Sequence, residues 1–167
     1  MNKSGFTLVE VLVVIVIVAV LTSVALPKYG RSIERARATE AMSMVRQIDD
    51  SVYAYFVEHQ EESSPCPTSF NQLSVSLLPD AGKPKQTSLK FFTYQLDGAS
   101  GSTIPDTSCK ATVASRKDSK YEYYIWRKYT TGQKTEVLCH EKTESAQADQ
   151  SRLLCQSLDM YKSGVTP

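Results

Sequence analysis

A single acidic side chain lies inside the longest apolar stretch of the sequence. Residues 6–26 are apolar except for Thr7, Glu10, Thr22 and Ser23. A charge at the centre of a bilayer costs roughly 2.5–3.5 kcal/mol even on the most lenient insertion scales, and intramembrane acids usually mark function with a partner nearby. Glu10 lies near the end of the stretch, where this cost is smaller. The chemistry that this residue offers is charge pairing.

Four cysteines lie downstream of the apolar stretch, at Cys66, Cys109, Cys139 and Cys155. Their position suits a domain that is exported to an oxidising compartment and held by two disulfides. Three pairings are possible and the sequence alone does not choose among them, although the short separations favour Cys66 with Cys109 and Cys139 with Cys155. On the chain-entropy model, closing the 16-residue span of the second pair stabilises the fold by roughly 3 kcal/mol.

Metal binding and catalysis find little support in the remaining reactive residues. No two cysteines approach a C-x-x-C spacing, and His59 and His140 are too scattered to complete a zinc set, so we expect no metal site and no cofactor. No nucleotide-binding, serine-hydrolase or zinc-protease motif is present in the sequence. The acidic pairs at residues 49–50 and 61–62 are interpreted as solvated surface. We therefore expect a protein that is not an enzyme.

The overall charge gives no indication of a polyanionic partner. Lysine and arginine together number 19, against 18 acidic residues. This balance produces no global field that favours nucleic acid as the main partner. Nucleic acid is therefore not indicated, although a role in DNA uptake stays open.

The apolar stretch must be positioned by an element that can cross or lie in a membrane. Its 21 residues are about the length that a helix needs to cross a hydrocarbon core of ~30 Å. The alternative is a secretory signal peptide, with Lys3 as the charged start and cleavage near residues 23–25. The apolar run exceeds the ~7–15 residues of a signal core, and such a core has no acid like Glu10. The sequence therefore predicts a transmembrane helix.

The cations around this helix do not favour export of the C-terminal part. Lys28, Arg31, Arg35 and Arg37 follow the span, whereas only Lys3 precedes it. The positive-inside rule prefers the opposite distribution. The downstream cysteines nevertheless favour an exported domain.

The helix is expected to continue beyond the apolar stretch. Pro27 lacks an amide proton and should kink or locally open the helix, with Gly30 softening the same turn. Apolar residues then recur at three- and four-residue steps through residues 27–60, with charged residues on the other faces, which predicts an amphipathic continuation. A helix from Phe6 to about His59 would be roughly 80 Å long, so its apolar first half should protrude from a small head.

The rest of the chain predicts an α+β head in which an antiparallel sheet of four strands packs on the helix. Residues 61–89 are read as a connecting loop and residues 90–167 as the globular head. The strands are predicted at residues 90–96, 109–115, 121–129 and 133–140, separated by turn-rich pieces such as 98–108 and 130–132. In the third strand, either Tyr123 with Ile125 or Tyr124 with Trp126 should face the core. Residues 149–158 are predicted to form a short helix tied back by Cys155.

The sequence GFTLVE at residues 5–10, followed by the apolar run, resembles the class III signal of type IV pilins and of type II secretion pseudopilins. In that family a prepilin peptidase cuts between the glycine and the phenylalanine and methylates the new amine. The segment ALPKY at residues 25–29 is similar to the place where family helices loosen around a proline. The resemblance covers about the first thirty residues, and its motifs are specific in combination.

The resemblance implies a leader peptide at residues 1–5, a transmembrane and filament-core helix at residues 6–26, cleavage between Gly5 and Phe6, and methylation of Phe6. Removing the leader would delete Lys3 and leave a cationic amine on Phe6, four residues before the Glu10 carboxylate. In a filament, Glu10 could neutralise the Phe6 amine of a neighbouring subunit. At ~4 Å and an effective dielectric near 20 the Coulomb energy is about 4 kcal/mol before desolvation.

The resemblance also implies partners and a location. Expected partners are other pilin subunits, the prepilin peptidase and a pilus assembly platform. The chain would lie in the inner membrane with its head in the periplasm before assembly, and in an extracellular or envelope-spanning filament afterwards. Two alternatives stay open, which are a pseudopilin of type II secretion and, from another class, a membrane-anchored envelope binding domain. Adhesion, motility, DNA uptake and secretion all use this design.

Overall fold

The computed structural model describes residues 7–118, 120–129, 135–142, 146–161 and 167. In these ranges the chain forms a 51-residue helix, α1, five strands, and a second helix, α2, together with a 3-10 turn at Phe70–Gln72. The bounds are α1 Leu8–Glu58, β1 Gln86–Ser88, β2 Phe92–Thr103, β3 Lys110–Lys117, β4 Glu122–Lys128, β5 Glu136–Glu141 and α2 Ala148–Ser157. The chain divides into two compact units, Met1–Ala36 and Arg37–Pro167.

The first unit contains the N-terminal part of α1. The helix is assigned without interruption through Pro27 and Gly30, so the expected opening is not a break in the helix, and a bend there stays a prediction. A Cβ added at Gly30 would meet no atom within 4 Å, so close packing does not require a glycine at this position.

The second unit is built on the amphipathic part of α1. Ala38, Ala41, Val45, Ile48 and Val52 are all buried and follow one another at steps of three and four residues. This spacing places the five side chains along one face of the helix. They join the same core cluster as the buried residues of the sheet, which confirms the predicted packing of an amphipathic helix on a sheet.

The sheet is antiparallel, in the order β1-β2-β3-β4-β5. It has five strands where the sequence predicts four, and β1 is the additional one. This edge strand has only three residues, all polar, so it carries no apolar alternation by which it could be recognised. Asp80 holds it, because the Asp80 carboxylate accepts hydrogen bonds from the Ser88 backbone amide at 2.9 Å and from the Gln86 side chain at 2.8 Å.

The second strand is also longer than predicted. It continues to Thr103 through two register shifts, between Gln95 and Ala99 and between Ala99 and Thr103, and so runs through residues that the sequence assigns to a turn-rich piece. Bulges of this kind interrupt the period of two on which a strand prediction rests. The predicted turn at 130–132 and the first two residues of the predicted strand 133–140 lie outside the described residues.

Both faces of β4 contribute to the core. Tyr123 and Ile125 are fully buried, as one of the two predicted sets, but Trp126 on the opposite face is also buried. The expectation that only one face is core was therefore wrong. The end of β2 lies beside the end of β4, where the Ser102 hydroxyl donates a hydrogen bond of 2.8 Å to the carbonyl of Arg127, although β2 is not a ladder neighbour of β4.

A glycine allows β2 to pass close to β3. A Cβ added at Gly98 would lie 2.9 Å from the Cβ of Val113, and real Cβ atoms essentially never approach so closely. Val113 is paired with Trp126 across the β3–β4 ladder. The absence of a side chain at Gly98 therefore supports the close packing on this face of the sheet.

Two disulfides close the head. Cys66 is joined to Cys109, which ties the connecting loop to the residue before β3, and Cys139 is joined to Cys155, which ties β5 to α2. A backbone hydrogen bond from the amide of Cys139 to the carbonyl of Met160 fastens the same region at 3.0 Å. Among the described residues no cysteine is free.

A buried carboxylate connects α1 to the sheet. Asp49 is 1% exposed, and it accepts hydrogen bonds from the backbone amide of Thr112 at 2.8 Å and from the hydroxyl of Tyr129 at 3.1 Å. The interpretation of Asp49 as solvated surface was therefore wrong. Its carboxylate supplies a hydrogen-bond acceptor that the β3 backbone would otherwise lack. Burial raises the pKa of Asp49 to about 6.

Candidate assembly site

An exposed apolar segment forms the first half of α1. Every described side chain from Leu8 to Leu26 is exposed, with Leu8 at 81% and Val13, the least exposed of the large apolar residues there, at 48%. Within the described ranges α1 is the helix that is long and apolar enough to cross a membrane. Because burying a Leu, Val or Ile side chain is worth roughly 1.5–3 kcal/mol, a segment of this kind favours lipid or other helices over water.

A capping box begins the helix and includes Glu10. The amide of Glu10 donates to the hydroxyl of Thr7 at 3.2 Å, while the amide of Thr7 donates to Oε2 of Glu10 at 3.0 Å. The Thr7 hydroxyl also donates to Oε2 at 3.1 Å. Thr7 is thus the N-cap and Glu10 the third helical residue, and the two side chains satisfy amides that have no partner within the helix.

This local role of Glu10 is a feature that the sequence analysis missed. The signal was present, because Thr-x-x-Glu before an apolar run is the sequence pattern of a capping box. The carboxylate also lies at the positive end of the helix dipole, which favours a negative charge. The structure therefore supplies one reason for an acid at this position that does not involve another subunit.

The two other polar residues of the segment are bonded to their own helix. The Thr22 hydroxyl donates to the carbonyl of Val18 at 2.7 Å, and the Ser23 hydroxyl donates to the carbonyl of Val20 at 2.7 Å. Hydroxyls satisfied in this way cost less in a medium without water. The segment can therefore enter an apolar environment with both hydroxyls paired, and the charge of Glu10 is what remains to be neutralised.

The structure locates some of the predicted site residues and not others. Glu10 is exposed at the start of α1, and Pro27 and Gly30 lie within the helix. Gly5 and Phe6, the predicted cleavage and methylation residues, lie outside the described residues. The pairing of Glu10 with a Phe6 amine therefore stays a prediction. In the described part of the chain no group of three or more His, Cys, Asp or Glu side chains is arranged to hold a metal ion.

Comparison with known proteins gives one family model and several relatives that match part of the chain. Residues 1–26 match the family model described as the prokaryotic N-terminal methylation motif. A stretch of 59 residues is 39% identical to a fimbrial protein of Neisseria meningitidis serogroup B, and 57 residues are 39% identical to a type IV major pilin protein, PilE, of Neisseria gonorrhoeae. Another 58 residues are 34% identical to the competence protein ComGC of Halalkalibacterium halodurans.

These matches cover only part of each protein. They include 35% of this chain and 35% of the meningococcal protein, 34% of this chain and 34% of the gonococcal protein, and 35% of this chain and 57% of ComGC. No solved structure matches the chain significantly. The resemblance to the type IV pilin family is thus confirmed by the methylation motif and by about a third of the sequence.

Proposed function

We propose that this chain is a structural subunit of a type IV pilus or of a related filament, and not an enzyme. The observation that carries the proposal is the exposed apolar half of α1, which has Glu10 in its first turn and lies in a region matching the N-terminal methylation motif. Relatives that match about a third of the chain are named as fimbrial proteins and major pilins. An apolar rod of this kind is suited to packing against copies of itself.

Maturation would begin with removal of residues 1–5. A prepilin peptidase would cut between Gly5 and Phe6 and methylate the amine of Phe6, as the motif at residues 1–26 suggests. The cut would remove Lys3 and leave a cationic amine on Phe6, two residues before α1 begins at Leu8. The mature chain would then carry an amine and the Glu10 carboxylate near one end of the same helix.

Before assembly the apolar segment would anchor the subunit in the inner membrane with its head in the periplasm. Both disulfides of the head agree with an oxidising compartment outside the cytoplasm. Assembly, by way of a pilus assembly platform, would exchange lipid contacts for contacts between helices. A repeated heterologous interface that does not close into a ring produces a helical fibre.

In the filament we assign Glu10 the role of selecting the axial offset between subunits. Its carboxylate would give up or share its two hydrogen bonds from Thr7. It would then pair with the Phe6 amine of a neighbour. The large apolar surface that follows would supply most of the packing energy. A type II secretion pseudopilin, the first alternative, would differ only after this stage. A membrane-anchored binding domain, the second alternative, would not be processed at all.

The first test is the mass of the mature chain purified from its native cells. We expect the chain to begin at Phe6 and to carry one additional methyl group. An uncut chain, or one that has lost the whole apolar segment, would refute the proposal and favour an anchored domain or a secreted protein. Recovery of the processed chain from sheared surface filaments separates a pilus subunit from a secretion pseudopilin, which stays in the envelope.

The second test separates the charge of Glu10 from its capping role. In Glu10→Gln the amide oxygen can still accept from the Thr7 amide, but the charge is lost. We expect this variant and Glu10→Val to lose the defined axial offset and therefore to incorporate into filaments less than the unaltered chain does. In the matched control Thr7→Ala the carboxylate remains while the cap is lost, and we expect incorporation to persist. Equal incorporation of Glu10→Gln and the unaltered chain would remove the role in pairing.

A further inference from the structure

A row of hydroxyl-bearing side chains crosses four strands of the sheet on one of its two faces. The ladder pairs Ser88 with Thr93, Thr93 with Ser115, and Ser115 with Tyr124. Side chains of directly paired residues lie on the same face of an antiparallel sheet. Gln95 follows Thr93 by two residues in the regular part of β2, so its side chain lies on this face as well. We call these five residues the neutral face.

The neutral face is accessible to solvent and carries no charge. Two of its members are exposed, three are half-buried, and none is an acid or a base. At β5 the row ends at His140, whose buried ring stacks on Tyr161 with 5.7 Å between the ring centroids. At the β1 edge the Asp80 carboxylate accepts hydrogen bonds from Gln86 and Ser88. The face therefore offers a partner neutral polar groups and no opposite charge.

The polar groups of this face keep a capacity for further hydrogen bonds. Among the residues that the structure describes, the Tyr124 hydroxyl and the Gln95 side-chain amide have no hydrogen-bond partner. The hydroxyls of Ser88 and Ser115 donate to other groups of the chain, at 2.7 and 3.2 Å. Because a hydroxyl has one proton and two lone pairs, each of them can still accept. The face thus combines free donors with free acceptors.

The chemistry of the face restricts the class of partner. An apolar surface would cover the hydroxyls and the amide without replacing their hydrogen bonds to water, which is unfavourable for every group left unsatisfied. A charged partner would lose its hydration without meeting an opposite charge. A neutral ligand rich in hydroxyl groups avoids both costs, because each of its hydroxyls can donate and accept. The Tyr124 ring adds an apolar body against which the C–H groups of a sugar can pack.

We propose that the neutral face binds an uncharged glycan, with Tyr124 and Gln95 donating hydrogen bonds and the serine and threonine hydroxyls accepting them. The row crosses four strands, which is roughly 14 Å at ~4.8 Å between neighbouring strands, so more than one sugar unit can lie along it. So few contacts bind one chain weakly. Many copies in a filament would strengthen the binding, because linked sites raise the effective concentration. Only this last step rests on the proposed function, since the site itself lies within the head.

The experiment uses the full chain in phosphatidylcholine nanodiscs, which contain no sugar headgroups. Saturation-transfer difference NMR is recorded with the neutral glycans chitotetraose, cellotetraose and dextran. Heparin serves as the charged probe, and an uncharged peptide of serine and glutamine serves as the protein-like probe. We expect saturable binding of at least one neutral glycan and weaker binding of the other two probes.

The test variant combines Tyr124→Phe with Gln95→Ala, which removes both free polar groups and keeps the aromatic ring. We expect its dissociation constant for the bound glycan to rise roughly fivefold or more, because two hydrogen bonds are lost. The matched control combines Tyr53→Phe with Gln47→Ala, a tyrosine and a glutamine that are exposed on α1, and its dissociation constant should be unchanged. Gln95→Ala alone alters only an exposed residue, so it provides the same test, with a smaller rise, without any change to a half-buried side chain.

Several results would overturn the inference. These are no saturable binding of any neutral glycan, unchanged binding by the test variant and by Gln95→Ala, or an equal loss in the matched control. Tighter binding of heparin would indicate a charged partner, and tighter binding of the peptide would indicate a protein partner. None of these results bears on the filament, because the start of the mature chain and its recovery from surface filaments are measured independently.

Discussion

Replacing Asp49 by asparagine should make the head more stable at neutral pH than the unaltered chain. The Asp49 carboxylate is 1% exposed and lies between the amide of Thr112 and the hydroxyl of Tyr129, at 2.8 and 3.1 Å. Asparagine has nearly the same shape. Its carbonyl oxygen can accept from Thr112, and its amide can donate to the oxygen of Tyr129, so both contacts are kept while the charge is removed.

The magnitude follows from the pKa of Asp49. Burial raises this pKa from its ordinary value of 3.8 to about 6, and one pKa unit corresponds to about 1.36 kcal/mol. Ionising the side chain in the folded state therefore costs about 3 kcal/mol more than ionising it in the unfolded chain. Below pH 3.8 the group is neutral in both states, and the cost is absent.

The sign of the pH dependence is determined by this raised pKa. As pH rises through 4 to 6 the unaltered chain loses about 3 kcal/mol of unfolding free energy from Asp49, whereas Asp49→Asn does not titrate. The difference between variant and unaltered chain should be small near pH 4 and grow to about 3 kcal/mol in favour of the variant at pH 8. The other carboxylates titrate in both proteins, so their contributions to the unfolding free energy cancel in this difference.

The assay is urea unfolding of the full chain in detergent with its disulfides intact, followed by the fluorescence of the buried Trp126, the single tryptophan of the sequence. The matched control is Asp50→Asn. That side chain is 76% exposed and forms an ion pair of 3.2 Å with Arg127, and exposed pairs of this kind contribute about 0–1 kcal/mol. A difference between Asp49→Asn and the unaltered chain that stays constant from pH 4 to pH 8 would refute the assignment of Asp49 as a buried, titrating group.

Three further predictions concern local packing, cross-linking and the start of α1. Gly98→Ala should lower the unfolding free energy by about 1–3 kcal/mol, because the new Cβ would lie 2.9 Å from that of Val113; an unchanged midpoint in the same assay would contradict the close approach. The double variant Cys139→Ser, Cys155→Ser opens a loop of 16 residues and should lower the unfolding free energy by roughly 3 kcal/mol. A decrease smaller than the error of the measurement would contradict this. Thr7→Ala should reduce amide protection in the first turn of α1, since removing an N-cap costs about 1 kcal/mol, and unchanged hydrogen exchange there would show that the cap is dispensable.

The helices and most of the sheet follow from the sequence because their signals are local and periodic. The steps of three and four in α1 predict its buried face, and the helix ends at Glu58, close to the predicted His59. Alternating and aromatic residues predict β3 and β4 to within two residues of their observed ends. Such patterns work because each element must place one face against the same core.

Features that depend on contacts between distant residues did not follow from the sequence. Asp49 looks like half of a solvated acidic pair until β3 places the amide of Thr112 beside it, 63 residues away. Trp126 is buried although it lies on the face of β4 opposite to Tyr123 and Ile125, and no local pattern predicts that the end of β2 lies beside the end of β4. The capping box is different, because Thr7 and Glu10 are only three residues apart. Its Thr-x-x-Glu pattern was visible in the sequence.

The capping box also determines what pairing with a neighbour can contribute to assembly. Glu10 accepts two hydrogen bonds from Thr7, and pairing with a neighbour would disturb them. Because the desolvation of both charges also offsets the Coulomb attraction, the pair itself contributes little net attraction. An offset subunit, in contrast, would keep an unpaired carboxylate in an apolar environment at up to roughly 2.5–3.5 kcal/mol. Glu10 would therefore act by penalising wrong registers, while the exposed Val, Ile and Leu side chains that follow it provide the attraction.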